Sequence, residues 1–346
     1  MSADGGVAQR IAAWLAAKLG TERVELRDLR RHTEGWSWHT YTFTAVWQED
    51  GEERTRGFAV RREPEDGLLA PYDIRGQYRL HRVLAERSRV PVPALYWLEL
   101  DASVLGMPFY AMERVEGIVP VQWQPDDPRA FPDDAVRRAV GEQFVDVLAD
   151  LHTVDWRDSG LAPADTDPPS AARAEVERWR RFYEESVLVE LPLVREALTW
   201  LAAHPTCSGR LALCHGDYRI GNFILGPDRR IAAVLDWELA HASDPVEDIA
   251  WAGLGLFRGR SPLYSHLLPE RDFLDRYRAR TGLAVEPEVL RFWTILGYVK
   301  SIAPHVRACR AFEDRRVNDL RLAAMGHQAL YPLGKLAAEL GVETAA

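Results

Sequence analysis

The sequence predicts an α+β protein in two lobes, a small β-rich one over residues 1–115 and a larger, mainly helical one over residues 116–346. Three observations predict it. The chain has 346 residues, enough for about two domains at roughly 150 residues each. Up to about residue 115, short runs of β-branched and aromatic residues alternate with turn residues. Beyond Gly117 the apolar residues recur instead at the three- and four-residue spacing of helices.

Near the N-terminus, Ile11, Trp14, Leu15 and Leu19 share one helical face, so this stretch reads as an amphipathic surface helix rather than a signal peptide. The run TYTFTAVW (Thr40 to Trp47), the turn Glu49-Asp50-Gly51 and the renewed apolar run Thr55 to Arg61 predict a β-hairpin. Ile74, Tyr78, Leu80, Val83 and Leu84 predict one helix from Asp73 to Arg87, which Pro91 and Pro93 forbid to continue. Strands follow at Ala94 to Leu100 and Pro108 to Val115, either side of a turn from Asp101 to Gly106. After the Pro- and Asp-containing stretch Pro120 to Asp134, the spacing predicts helices at about 135–152, 170–186, 190–204, 270–281 and 286–307. Interrupting them, Arg210 to Asp236 holds three short apolar runs, LALC, FIL and IAAVL, punctuated by Gly216, Gly221 and the turn Gly226-Pro227-Asp228. No internal repeat is found.

Composition excludes several classes. Hydrophobic residues make up 47% and charged residues 27% of the chain, which is globular and neither disordered nor fibrous. A net charge of −9 argues against a binder of duplex nucleic acid. Cys207, Cys214 and Cys309 form no C-x-x-C pair and cannot all pair within the chain, which fits a reducing compartment and no structural zinc. No run of 18 apolar residues predicts a membrane span, and a cytoplasmic location is the default expectation. Gly253-Leu254-Gly255 fails the dinucleotide fingerprint because Arg258 stands where its third glycine belongs.

The chemistry lies in His215-Gly216-Asp217-Tyr218-Arg219-Ile220-Gly221-Asn222, with Asp236 fourteen residues beyond Asn222 at the end of IAAVL. A loop carboxylate, an Asn five residues later and a carboxylate on a neighbouring strand end can converge on one point. Hard cations such as Mg²⁺ take oxygen ligands, commonly one or two carboxylates together with substrate phosphates. Asn222 and Asp236 would then hold the metal of a nucleoside triphosphate, leaving Asp217 to accept the proton of an attacking hydroxyl. Ordinary turn chemistry also places Asp and Asn in loops, but it does not account for the joint spacing.

This H-G-D-x-x-x-x-N loop with its downstream Asp resembles the aminoglycoside phosphotransferase family, which has the protein-kinase-like fold; the Asp-to-Asn spacing equals that of H-R-D-x-x-x-x-N. Phe58-Ala59-Val60-Arg61 resembles V-A-I-K of kinases. PFYAMERVEG (Pro108 to Gly117) resembles an edge strand and hinge, and LDWELAHASDPVEDIAW (Leu235 to Trp251) the metal-Asp segment and following helix. With R-R-x-P, these motifs are similar to the branch of kinase-type domains fused to acyl-CoA dehydrogenases, and the likeness covers roughly residues 25–300.

The resemblance implies Asp217 as catalytic base and Asn222 and Asp236 as metal ligands. It implies Arg219 as a cation meeting the transferring phosphoryl group and Arg61 in place of the phosphate-pairing lysine. Gly35 and Ser37 would belong to the nucleotide-covering loop, and Met112, Glu113 and Val115 to the adenine-facing hinge. His215 with Asp248, helped by Asp244, would brace the catalytic loop. Two departures stand out. Gln77 lies where a glutamate should pair with the strand cation, allowing at most a hydrogen bond, and Trp38 fills a position usually small and polar. Trp36 and Trp38 read equally as packing or as a lid, whereas Trp179, Trp293 and Tyr298 read as core.

The expected activity is transfer of phosphate from ATP, with Mg²⁺, to a hydroxyl of a small molecule, which the branch likeness implies is a neutral or hydroxyacyl compound. The alternatives are an aminoglycoside or macrolide antibiotic kinase and, from another class, a nucleotide-binding pseudokinase that regulates. A protein kinase is disfavoured by the helical insert at about 135–204. Neither a nucleic-acid nor a membrane partner is expected, and nothing in the sequence indicates an oligomeric state.

Overall fold

In the computed structural model the described residues are 3–342, apart from 33–37, 66–68, 70, 158–159, 161, 164, 260 and 318. Gly35 and Ser37, and Trp36 with them, lie outside the described residues. The chain divides into two units, Met1–Ala85 with Val92–Glu116, and Glu86–Pro91 with Gly117–Ala346.

The first unit runs α1 (Ala3–Leu19), β1 (Val24–His32), β2 (His39–Glu49), β3 (Glu52–Arg62), α2 (Ile74–Arg87), β4 (Leu95–Glu99), α3 (Ala102–Leu105) and β5 (Phe109–Glu113). The strands make one antiparallel sheet in the order β1-β2-β3-β5-β4. Asp50 and Gly51 join β2 to β3 with φ of 52° and 79°, the pair of positive angles a two-residue hairpin with Asp-Gly requires. Because side chains alternate along a strand, the sheet has two apolar faces. Phe43, Phe58, Val60 and Phe109 pack under Ile11, Trp14 and Leu15 of α1. Ala59, Tyr110 and Met112 pack with Trp38 and Ile74.

β1 was not expected. Its residues VELRDLRRH are mostly charged and its register with β2 shifts at a bulge between Arg27 and Arg30, where Asp28 takes φ 53°. Such charge and irregularity suit an edge strand and hide its period.

The second unit runs α4 (Asp134–His152), α5 (Pro168–Ser186), α6 (Pro192–Ala203), β6 (Ala212–Cys214), β7 (Phe223–Leu225), β8 (Ile231–Val234), β9 (His241–Ser243), α7 (Val246–Gly253), α8 (Gly255–Arg258), β10 (Leu263–Tyr264), β11 (Leu268–Pro269), α9 (Glu270–Thr281), α10 (Pro287–Glu313), α11 (Leu320–Gln328) and α12 (Leu330–Leu340). Asp133 and Asp167 cap α4 and α5 by accepting from Val136 and Ser170 backbone N–H groups. Helix α10 continues past the expected end at 307 and through Pro304. The proline forfeits one backbone bond, while Ile302, Ala303, Ala308 and Ala311 go on burying one face. Two small ladders flank the loop 215–222: β6 pairs with β9, and β7 pairs with β8. Among the described residues no helix is long and apolar enough to cross a membrane.

Candidate active site

The loop His215–Asn222 leaves β6 and enters β7. Its first turn needs a glycine: Gly216 has φ 79°, and a Cβ there would collide with the backbone oxygen of Leu239. The N–H groups of His215 and Gly216 both donate to the Asp248 carboxylate, at 2.7 and 2.8 Å. His152 approaches the same carboxylate at 3.2 Å and Tyr277 at 2.7 Å through its other ring nitrogen. Asp248 is fully buried. Burial would push its carboxyl up, but the hydrogen bond and charge of His152, with His215, hold it below the usual carboxylate range.

His215 orders the loop from inside. Its Nδ1 accepts the Asp217 backbone N–H (3.1 Å) and its Nε2 faces the Leu235 carbonyl (2.8 Å), a pair of partners that fixes the proton on Nε2. The ring also lies 4.6 Å from that of Trp237. Leu235 in turn donates its N–H to the Asn222 carbonyl at 2.8 Å, so Asp236 leaves β8 directly beside Asn222. Asp236 takes a left-handed backbone, φ 65° and ψ 58°, a strained conformation of the kind found at ligand-holding positions.

The side chains converge on Asp217. Its Oδ2 accepts from Asn222 Nδ2 at 2.7 Å, and its Oδ1 from Trp251 Nε1 at 2.7 Å. Arg219 Nε donates to both oxygens, at 3.0 and 3.2 Å, and Arg219 Nη1 reaches Gln122 Oε1 at 2.7 Å. Asn222 Nδ2 also donates to the Asp217 carbonyl, which turns its Oδ1 away from Asp217. Asp244, fully buried, holds Ser208 and caps the start of α7 through the Val246 N–H. Burial pushes its carboxyl up, against those hydrogen bonds.

In the first unit, Arg61 stands on the central strand β3, 8% exposed, with its guanidinium 5.2 Å from the ring centroid of Trp38. Alternation places it on the same sheet face as Ala59, which pairs with the buried Met112. Glu113 pairs with Phe58, donates its backbone N–H to the Ala94 carbonyl and accepts the Ala94 N–H on its carboxylate, and Val115 follows half-buried. The sequence allows Gln77 at most a hydrogen bond to the strand cation, and its Oε1 is buried without one. An amide lacks the charge that would make that contact worth its desolvation.

Three participants were not expected: Trp251, Gln122 and His152. Trp251 was visible in principle, three residues after Asp248 and four after Glu247, which puts all three on one stripe of α7. Gln122 and His152 lie far off in sequence and carry no spacing signal.

Comparison with known proteins agrees with this geometry. A model of the phosphotransferase enzyme family, APH, matches residues 28–293. Acyl-CoA dehydrogenase family member 10 of Mus musculus is 28% identical over 284 residues, 82% of this chain and 25% of that protein. The chain thus spans about a quarter of the length of the curated relatives it matches first. A Ralstonia eutropha structure classed as an aminoglycoside phosphotransferase superposes with a TM-score of 0.72 at 24% identity, covering 97% of this chain and 99% of that one. The phosphotransferase APH(4)-Ia, solved as a thermostable mutant in ternary complex with AMP-PNP and hygromycin B, gives a TM-score of 0.63 at 16% identity, covering 98% and 100%. The five-stranded first unit and the helical second unit have the kinase-like fold of these structures, and the chain belongs to the APH phosphotransferase family.

Proposed function

We propose that the chain transfers the γ-phosphoryl group of ATP to a hydroxyl of a small molecule, with Mg²⁺. The observation that carries this reading is the Asp217 carboxylate, oriented by Asn222, Arg219 and Trp251 at the head of a loop locked by Asp248. The residues fit the metal. The Asn222 amide oxygen turned from Asp217 and the carboxylate of Asp236, which follows the Leu235 N–H bonded to the Asn222 carbonyl, would supply oxygen donors of the kind a hard cation takes. Bound there with the nucleotide, Mg²⁺ would offset charge on the phosphate oxygens. Asp217 aligns the acceptor hydroxyl and takes its proton as the new O–P bond forms and the bond to ADP breaks. Arg219, bridged to Asp217, would meet the charge on the transferred group. Arg61, Met112, Glu113 and Val115 would bind the nucleotide, Arg61 through its phosphates; Gly35 and Ser37 would cover it.

The acceptor we propose is neutral or anionic, such as a hydroxyacyl compound. Beside Asp217 stand Asn222, Arg219 and Trp251, the Arg219 guanidinium also meets Gln122 and lies 5.7 Å from the Phe257 ring, and Trp123, next to Gln122 in sequence, is 77% exposed. A cation flanked by aromatic surface repels a polycationic aminoglycoside and suits an apolar or acyl body. The relatives among acyl-CoA dehydrogenase family members point the same way. Gln77 alone favours a second reading, a nucleotide-binding regulator without turnover. ADP release with MgATP, screened over hydroxyacyl thioesters, other hydroxyl metabolites, aminoglycosides and macrolides, decides between them. Asp217→Asn should lower turnover by about 10²–10⁴-fold while nucleotide affinity holds. Equal turnover by that variant, or turnover indifferent to Mg²⁺, would refute the assignment.

A further inference from the structure

Beneath the candidate base lies a set of buried charges that the phosphotransfer reading does not use. Glu175 of α5, His241 of β9, Glu247 of α7 and Lys300 of α10 come from four different elements. Lys300 Nζ is 2.7 Å from Glu247 Oε1, and His241 Nε2 is 3.1 Å from Glu247 Oε2 and 3.4 Å from Glu175 Oε2. Trp179 donates its indole N–H to Glu175 at 2.6 Å, and Arg178 reaches Glu175 from the solvent side at 3.5 Å. Glu175, His241 and Glu247 are close enough to share a cation. The Lys300 ammonium already supplies positive charge, however, and with His241 protonated the four groups sum to zero, so a divalent ion would unbalance them.

What the cluster does touch is Trp251. The Lys300 ammonium lies 4.9 Å from the Trp251 ring centroid and 5.6 Å from that of Trp179. It is 2% exposed, so this cation–π contact acts without solvent screening. Glu247 and Trp251 lie one turn apart on α7, and the Phe257 ring packs against the indole at 5.1 Å between centroids. The indole therefore has little freedom to rotate, and its one donor points at Asp217 Oδ1. A cation against the π face also draws electron density from the ring, which makes the N–H a stronger donor.

We propose that Trp251 is a positioning residue for Asp217, and that the buried cluster Glu175, His241, Glu247 and Lys300 holds its indole in place. Without the indole, Oδ1 keeps only the shared Arg219 contact, and Asn222 on Oδ2 is left as the one other donor to fix the carboxylate plane. The inference deepens the phosphotransferase reading and rests on Asp217 being the base.

The twelve tryptophans each give one indole signal in a ¹H–¹⁵N spectrum of the labelled full chain, recorded without nucleotide or acceptor. Trp251→Phe deletes one signal and so identifies it. In Asp217→Asn that signal moves upfield as a charge-assisted bond becomes neutral, and in Lys300→Met it moves again. Should Lys300→Met unfold, the neutral pair Glu247→Gln with Lys300→Met takes its place, because it leaves no unpaired buried charge. A Trp251 signal unmoved by Asp217→Asn overturns the proposal. So does a kinetic result with MgATP, and the best acceptor of the screen or water, in which Trp251→Phe leaves kcat intact or raises the KM for MgATP instead. The expected outcome is kcat lowered about ten- to a hundredfold, the worth of one hydrogen bond to a charged group, with KM for MgATP within about twofold. Because the spectrum needs no turnover, a wild-type chain that transfers nothing sinks the phosphotransferase reading alone, while the indole signal still decides the contact.

Discussion

Asp217 takes donors on both carboxylate oxygens, which fix the plane of the group. As the proposed base it would work by aiming an acceptor hydroxyl, which suits phosphoryl transfer, where positioning and electrostatics supply most of the rate. The aim begins at Gly216. An alanine there would cost roughly 1–2 kcal/mol for the left-handed backbone alone, and its Cβ would force the Leu239 backbone away. Gly216→Ala should lower the urea midpoint and turnover together; a variant as stable and active as wild type would show that the loop tolerates another path. Asp217, Asn222 and Asp236 could be read from the sequence because their spacing is set by one loop and one hairpin. Trp251 was legible only as a member of the α7 stripe, since a tryptophan at helical spacing packs in most settings, and its N–H turned to a carboxylate appears only in the fold.

Among the elements, α7 links the loop to its supports. Asp248 binds two loop N–H groups and His152 of α4, which continues to Tyr277 of α9. Removing one partner of a buried charged set costs about 3–5 kcal/mol, so Asp248→Asn should lose on the order of 3 kcal/mol near neutral pH. The carboxyl of Asp248 is held below its usual range. Its contribution is therefore complete above the ordinary carboxylate pKa and fades as pH falls through the lowered one. The stability gap between wild type and Asp248→Asn, measured by urea unfolding from pH 7 to pH 3, should close on the acid side. A constant gap would mean the carboxyl is not ionised in the fold. The long helices were legible because each buries one stripe at a 3.6-residue period, and the hairpin because Asp50-Gly51 is specific to its turn. β1 was hidden by its charge, and α11 and α12 left no expectation at all: their exposed Leu320, Leu330 and Tyr331 blur the apolar stripe that would mark them.

At the scale of the whole chain, the apolar period changes beyond Gly117, but nothing in the sequence marks the polar interior of the second unit. Glu175, His241, Glu247 and Lys300 are separated by up to more than a hundred residues and look like surface charges in sequence; only folding joins α5, β9, α7 and α10 through them. The cluster makes the unit's stability depend on pH in the alkaline direction. Burial alone would lower the pKa of His241, but the carboxylates of Glu175 and Glu247 overcome it and raise the imidazole to about 9. A raised pKa adds stability that is complete below the unfolded value near 6.5 and is lost as pH climbs through 9. Glu247 is held below the usual carboxylate range by Lys300 and His241, and Lys300 above its own by Glu247, so neither titrates in that window and the cluster's change there belongs to His241. Wild-type stability should fall between pH 6.5 and 9 by no more than about 3 kcal/mol, the worth of the shift. His241→Gln, which carries no titrating proton, should be less stable than wild type at pH 6 and approach it at pH 9.5. Urea midpoints that run parallel for the two proteins over this range would show that His241 is neutral in the fold, and that Glu247 is balanced by Lys300 alone.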